Sequence, residues 1–406
     1  MQLQIAWRNI WRNPRRTTVI MIAVIIGVWN MIFLGALMRG IVIEMVNNGI
    51  STLTGDIQIH QKGFRNDPVV ENSIKEPELL QSILNNNLPS DARWASRIRV
   101  SAIANNARHS SSVTLVGIDP KREASASFIG DAVIRGSYLK PDDKNGILVG
   151  QALVDKFETK LGRKLILMSQ DTSKEIASRS FRISGIFKAE LESTEKKFVF
   201  VNMSVLQQML KLQNGISEVS IILPDHQDAN HVKNTLNAEL PSNLEANAWR
   251  ELLPMLDAYL KIYDGFILIW YLVVFIAMGF GIVNTTLMAV FERMREFGLL
   301  KSLGMKPGRI FAGIITETLI LLLSGITIGN ILAFLCVYAL SGSGIDLSSF
   351  AAGAEFAGMS RVIFPVISIW DLTAANLVVL VLGLLVSTYP AVKAARFTPV
   401  EALCHT

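Results

Sequence analysis

VIMIAVIIGVWNMIFLGALM, residues Val19–Met38, contains no charged residue and one amide, Asn30. A helix of about 20 apolar residues rising about 1.5 Å per residue matches a hydrocarbon layer about 30 Å thick. The stretch therefore reads as a membrane span. Three further runs qualify: Phe266–Val290 without a charge, Ile310–Leu340 with only Glu317, and Leu372–Val392, again uncharged, with Pro390 near its end. The third run exceeds what an upright crossing requires, which puts its first turns at the interface. The expected fold class is an integral membrane protein with four transmembrane α-helices and a large α+β extracytoplasmic domain between the first and second.

Composition agrees. Of the 406 residues, 50% are apolar and 18% charged, against roughly 25% charged in soluble domains; the mean hydropathy is +0.37. The net charge of +5 is modest, and no nucleic-acid partner is expected. The two cysteines, Cys336 in an apolar run and Cys404 near the end, predict neither a disulfide framework nor a thiolate metal site. The first apolar stretch is too long for a signal-peptide core and lacks a small-residue cleavage site after it, so it should stay in the membrane.

Lys and Arg near the span ends set the orientation. Arg8, Arg12, Arg15 and Arg16 precede the first span; Arg293, Arg295, Lys301, Lys306 and Arg309 fill the loop after the second; Lys393 and Arg396 follow the fourth. Ser341–Asp371 holds only Arg361. Both termini are thus expected in the cytoplasm. Leu3, Trp7, Ile10 and Trp11 recur at helical spacing among Arg8, Asn9 and Arg12, which predicts an amphipathic helix on the cytoplasmic surface, ended by Pro14. The expected order is that helix over 1–16, the first span and stalk start over 17–40, and the outside domain with stalk segments over 41–264. Then come the second span over 265–291, a cytoplasmic helix and loop over 292–309, and the third span over 310–340. An outer loop over 341–371, the fourth span over 372–392 and a cytoplasmic tail over 393–406 complete it.

In the outside domain, strand-like runs occur at Asp56–His60, Ser112–Gly117, Gly146–Val149, Lys164–Met168, Phe181–Phe187, Phe198–Val201 and Val219–Leu223. Helical stretches occur at Glu76–Leu84, Gln151–Leu161, Val205–Lys211 and Ala229–Glu239. The pattern predicts a mostly antiparallel α+β domain, with the polar stretch Gln170–Ser180 dividing it into two lobes. His226 and His231 lie five apart, His60 and His109 stand alone, and no acidic cluster joins them at ligand spacing, so all read as surface residues. There is no G-x-S-x-G elbow. No catalytic group, cofactor site or metal site is expected, and the domain reads as a binding or scaffold unit.

After the second span the chain reads VFERMREFGLLKSLGM, residues 290–305. Phe297, Leu300 and Leu303 follow one another at i, i+3 spacing, Gly304 fits a helix end, and Lys306-Pro307-Gly308 forces a turn. This predicts a short helix along the membrane surface with an apolar face bracketed by charges. The alternative is an ordinary basic loop.

The stretch ERMREFGLLKSLG resembles the signature after the second span of the FtsX-like (MacB/LolC/LolE-type) permease family of ABC transporters. AWRNIWRNPRRTTVIMIAVIIGV at the start and YPAVKAARFTPVEAL at the end resemble the same family, as do the runs at Ile134–Gly136, Gly146–Gly150 and Phe181–Ile186. The resemblance spans nearly the whole chain in order. It implies an inner-membrane permease subunit that pairs with a second one, homo- or heterodimeric, and is driven by a separate cytoplasmic ATPase carrying the ATP and magnesium. It makes Glu296, Phe297, Gly298, Leu300, Leu303 and Gly304 the ATPase-contacting residues, with Glu292, Arg293 and Arg295 setting register. The chain contains no G-x-x-x-x-G-K-[S/T] loop. The resemblance further implies stalks at Gly40–Gly49 and Asn247–Asp264, a membrane-lipid environment, and a periplasmic carrier or outer-membrane partner.

Three functions fit the resemblance: release of lipoprotein or lipid toward the outer membrane, which ranks first, efflux of periplasmic small molecules or peptides, and signalling to an envelope partner without transport. Exposing an acyl chain of about sixteen carbons to water costs roughly 12 kcal/mol at about 0.8 kcal/mol per CH₂, so a lipid extractor needs an apolar cavity. Met31, Phe33, Leu34, Phe275, Met278 and Ile282 are candidate walls, with helix packing or lipid contact as the alternative. Gln170–Ser180, the matching place for the Pro-containing hairpin of lipoprotein-releasing permeases, has no proline. Glu317, an acid in a span, is a candidate functional group or a snorkelling side chain.

Overall fold

The computed structural model describes residues 7–9, 11–224, 226–346 and 362–398. The chain divides into a helical unit of Met1–Ile43, Tyr259–Asp346 and Val362–Thr406, and a second unit centred on Glu44–Ala258. Leu3, Ile10, Cys404 and the end of the C-terminal motif lie outside the described residues.

Among the described residues, four helices are long and apolar enough to cross a membrane. They are the first span Pro14–Gly49, the second Pro254–Glu292, the third Pro307–Ser341 and the fourth Ile369–Arg396. The first two, at 36 and 39 residues, extend about 54 and 58 Å at 1.5 Å per residue. That is well beyond a hydrocarbon layer of about 30 Å. Pro390 was expected near the end of the fourth span; it lies inside the helix, which continues to Arg396. A missing N–H is tolerated in a packed membrane helix because neighbours satisfy the freed carbonyl. The stalk expected over Asn247–Asp264 is also corrected. Leu244–Ala248 is a sheet strand, Trp249–Leu252 a separate turn of helix, and the long helix begins only at Pro254.

The spans pack through small residues. Gly325 and Gly329 on the third span are four apart, and a Cβ on either would meet Val24 at 2.6 Å or Val28 at 2.8 Å on the first span. Such glycines let two membrane helices approach where no hydrophobic effect drives them together. Arg39 donates two hydrogen bonds of 2.9 Å to Asp371 and lies 4.8 Å above the Tyr263 ring, tying the first, second and fourth spans. Gly329→Leu is expected to wedge the first and third spans apart and destabilise the helical unit by about 1–3 kcal/mol. A lowered melting temperature in detergent checks this; an unchanged one refutes the close-packing account.

The second unit is one ten-stranded mixed sheet in the order β10-β1-β9-β2-β3-β8-β5-β7-β4, with β6 pairing β2 and β7. The strands are β1 Ile57–Gln61, β2 Arg93–Asn105, β3 Ser110–Ile118, β4 Val133–Gly136 and β5 Gly146–Gly150. They continue with β6 Lys164–Gln170, β7 Ile176–Phe187, β8 Phe198–Asn202, β9 Glu218–Ile222 and β10 Leu244–Ala248. The pairs β3·β8 and β5·β7 are parallel and the others antiparallel. Gln170–Ser180 does not separate two lobes. It forms the β6–β7 hairpin, closed by Asp171, whose carboxylate accepts from the Ser173 and Glu175 amides.

Strand β2, the longest, escaped the sequence reading because arginine and serine interrupt its apolar alternation; yet Ala95, Ile98, Val100, Ala102 and Ala104 are buried. Ile98, Val100, Ala102 and Ala104 join Leu115, Val149, Phe157, Phe181 and Val199 in the core. Because this core is contained in the domain, Glu44–Ala258 expressed without the spans is expected to melt in one cooperative transition by circular dichroism. A broad, gradual loss of signal would show that the domain depends on the spans.

Candidate functional site

The connecting helix, Met294–Ser302, follows a break at Arg293 and ends at Leu303–Gly304, where Gly304 has φ +90°. Glycine enters that left-handed conformation without Cβ strain, so the helix stops there. Its inner face buries Met294, Phe297 and Gly298, and Phe297 packs with Val290, Ile310, Ile314, Ala391 and Ala394 from the spans. Lys301 Nζ donates to the carbonyls of Ala395 and Phe397 at 2.6 Å each, fixing the helix to the end of the fourth span.

Phe297 and Gly298, expected among the ATPase-contacting residues, are buried toward their own bundle; Leu300 is half-buried at the flank. Leu303 is 77% exposed, as is, at 55%, Leu299, which the sequence reading missed. Two steps of three residues turn a helix face by about 120°, so Phe297, Leu300 and Leu303 run from the inner side to the open one. The residues that share the open side are Arg295, Leu299 and Ser302, at i, i+4 and i+7.

The charges expected to meet a partner are largely engaged within the chain. Arg293 Nη1 donates to both oxygens of Glu317 at 2.9 Å, and its Nε donates to Glu296 at 3.4 Å. Asn9 Nδ2 donates to Glu317 at 2.7 Å. Arg12 holds Glu296 with a fork of 2.6 and 3.1 Å, and Asn13 and Arg16 donate to Glu292 at 3.1 and 3.0 Å. Three arginines thus meet three carboxylates. Partial burial pushes the Glu296 carboxyl up, but the Arg12 hydrogen bond and charge, with Arg293, outweigh it and hold it below its ordinary value. Glu317 does not snorkel freely: it is 18% exposed and paired with an Arg293 that is 13% exposed. Glu292 and Arg293, expected to set register with a partner, hold ion pairs within the chain, with Glu292 41% and Arg293 13% exposed. Trp7 and Trp11, edge to face at 6.1 Å, remain exposed beside this cluster.

Of the candidate cavity walls, Met31, Phe275, Met278 and Ile282 are buried in the packing between the spans; only Phe33 and Leu34 keep partial exposure. The Met278 sulfur would lie 2.9 Å from a Cβ on Gly27. Those four positions fill the monomer core rather than line an open wall. The open apolar wall of the second span is instead Phe266, Ile269, Val273, Ile276 and Phe280.

The sheet domain contains a buried ionic cluster that the sequence reading did not foresee. Arg97, fully buried on β2, donates to both carboxylate oxygens of Glu123 at 2.8–3.0 Å and to the carbonyl of Leu53, and lies 3.6 Å from Glu218. Arg99 reaches Glu218 at 2.9 Å, and His60 Nε2 lies 3.7 Å from the same carboxylate. Burial pushes the Glu218 carboxyl up, but Arg99, the His60 contact and Arg97 outweigh it and hold the group down at about 2. His60 is thus a core residue, stacked 5.3 Å from Phe64, not a surface one; His226 pairs with buried Asp56 at 2.6 Å.

Residues 17–239 match the family described as MacB-like periplasmic core domain, and residues 267–399 the one described as FtsX-like permease C-terminal. The lipoprotein-releasing system transmembrane protein LolC of Xylella fastidiosa is 25% identical over 331 residues, covering 78% of each chain. The macrolide export ATP-binding/permease protein MacB of Sodalis glossinidius is 32% identical over 124 residues, 30% of this chain and 16% of that one. The periplasmic region of MacB from Actinobacillus actinomycetemcomitans overlays 52% of this chain and 95% of its own, with 14% identity and a TM-score of 0.36.

Proposed function

The chain belongs to the FtsX-like permease family of ABC transporters, with a MacB-like periplasmic core domain, and on that premise we propose that a separate cytoplasmic ATPase drives its periplasmic domain through the connecting helix. It is an inner-membrane permease of the MacB/LolC type, and the family implies both an ATPase partner and a paired permease. The observation that carries the reading is the exposed pair Leu299 and Leu303, presented on a helix that Phe297 and Lys301 hold against the spans. Large apolar side chains on a rigid element suit an ATPase cleft. Both termini and this helix are cytoplasmic in this reading, since the basic residues gather there. ATP and magnesium are held by the partner.

Within that function, release of a lipoprotein or lipid toward the outer membrane is the reading we favour. It is supported by likeness over 78% of both chains to a protein named for lipoprotein release, against 30% of this chain for the macrolide exporter. The open wall from Phe266 to Phe280 also provides an apolar surface for an acyl chain when two subunits face each other. Depleting the protein is expected to leave lipoproteins in the inner membrane, read by membrane fractionation and mass spectrometry. An unaltered distribution would overturn the cargo assignment; added sensitivity to small molecules would then point to efflux, and a changed envelope partner alone to signalling.

A further inference from the structure

The charge cluster joins the N-terminal segment to the end of the second span, the connecting helix and the third span, 276 to 308 residues away in sequence. Its donors come from the N-terminal segment (Asn9, Arg12, Asn13 and Arg16) and its acids from the end of the second span (Glu292), the connecting helix (Glu296) and the third span (Glu317). Arg293 bridges Glu296 and Glu317, so the connecting helix and third span share one cation. A small cavity lined by Asn9, Arg16, Thr17, Arg293, Glu317 and Thr318 lies within the cluster. Formal charges balance, three positive against three negative. Separating Arg293 from Glu317 strands ions that are 13% and 18% exposed, which is costly, whereas the Arg12–Glu296 pair is open, at 48% and 46%, and can be broken with little loss of stability. The Arg12–Glu296 fork is bidentate, a geometry that resists rotation as well as separation.

We propose that the N-terminal segment is a strap of the coupling device, tied by Arg12 to Glu296, by Asn13 and Arg16 to Glu292 and by Asn9 to Glu317, so that displacement of the connecting helix moves the first and third spans together with the second. This rests on the reading that an ATPase docks on the connecting helix. The strap makes the surface segment ahead of the first span a working part rather than an anchor. It also gives Arg12 and Glu296 positioning roles: they transmit movement without touching nucleotide.

The test uses the complete complex of the chain with its ATPase in lipid nanodiscs. Arg12→Glu and Glu296→Arg are each expected to keep the ATPase bound and the melting temperature near wild type. The kcat for ATP hydrolysis should fall at least fivefold with KM for ATP unchanged, and the swapped double variant should recover to within twofold. A merely structural contact would move the melting temperature instead. Single reversals that leave kcat within twofold, or a double variant that stays as slow as the singles, would overturn the proposal. In a Cys336→Ser, Cys404→Ser background, a disulfide between Arg12→Cys and Glu296→Cys should preserve turnover, because the two positions travel together. Loss of turnover on oxidation, restored by reduction, would also overturn it. If the ATPase still binds fully when Leu299 and Leu303 are replaced by Asp, the docking reading fails, a result separate from both strap tests.

Discussion

Replacing Arg97 with methionine is expected to remove roughly 3–5 kcal/mol from the stability of the periplasmic domain, the usual effect of breaking a buried ion pair from one side. Arg97 is fully buried, and its guanidinium serves Glu123, the Leu53 carbonyl and, more distantly, Glu218. Methionine fills much of the volume but leaves Glu123 charged in a dry site and the carbonyl without its donor. Burial lowers the proton affinity of Arg97, yet Glu123 and Glu218 more than restore it, so the guanidinium stays charged in the folded domain. Against a total of about 5–15 kcal/mol for a domain, such a loss removes between about a fifth and the whole of the stability. Urea unfolding of Glu44–Ala258 measures it; a change below about 1 kcal/mol would mean that the cluster contributes nothing net.

The same cluster sets an acid limit. The Glu218 carboxyl is held at about 2 in the folded state against 4.5 ordinarily. A depressed carboxylate contributes stability that is complete above its unfolded value and is lost as pH falls toward the folded one. The domain should therefore lose stability between about pH 4.5 and 2, and Glu218→Gln should flatten that part of the profile. A variant with an unaltered acid profile would show that other carboxylates govern it.

The second large effect concerns the partner. Leu299→Asp together with Leu303→Asp is expected to abolish co-purification of the ATPase while the spans still insert and fold. Each leucine is mostly open, at 55% and 77% exposure, so the replacements strand no core atom. At a docking centre, loss of one such anchor weakens binding by about 2 kcal/mol or more, roughly thirtyfold. Two losses, with carboxylates brought into an apolar cleft, exceed what micromolar association tolerates. Phe297→Ala should behave differently. It is 5% exposed inside the bundle, so it should cost about 3–5 kcal/mol of stability through a cavity. Undiminished ATPase capture by the double Asp variant would place the docking surface elsewhere.

These contrasts show what could be read from residues alone. The spans were legible because hydrophobic length against bilayer thickness is a local quantity, and Val19–Met38 or Phe266–Val290 satisfies it whatever the rest of the chain does. Strands β1, β3, β5 and β8 were legible for a similar reason, since their apolar runs are dense. Strand β2 was not: a buried Arg97 in its alternation looks like a solvent-facing residue until Glu123 and Glu218 arrive from other elements. The connecting helix was found, but its faces were assigned by steps of three, and only packing against Ile310, Ile314 and Ala394 shows that Phe297 points inward and Leu299 outward.

By itself, then, the amino-acid sequence determined that the chain crosses a membrane, which segments cross, and that a large α+β domain interrupts them, because burial length and period are properties of neighbours along the chain. The tertiary structure alone decided which charges are spent internally. Arg12 with Glu296, Arg293 with Glu317 and Arg97 with Glu123 pair residues from separate elements, and a charge carries no mark in its local sequence of the partner that folding brings to it.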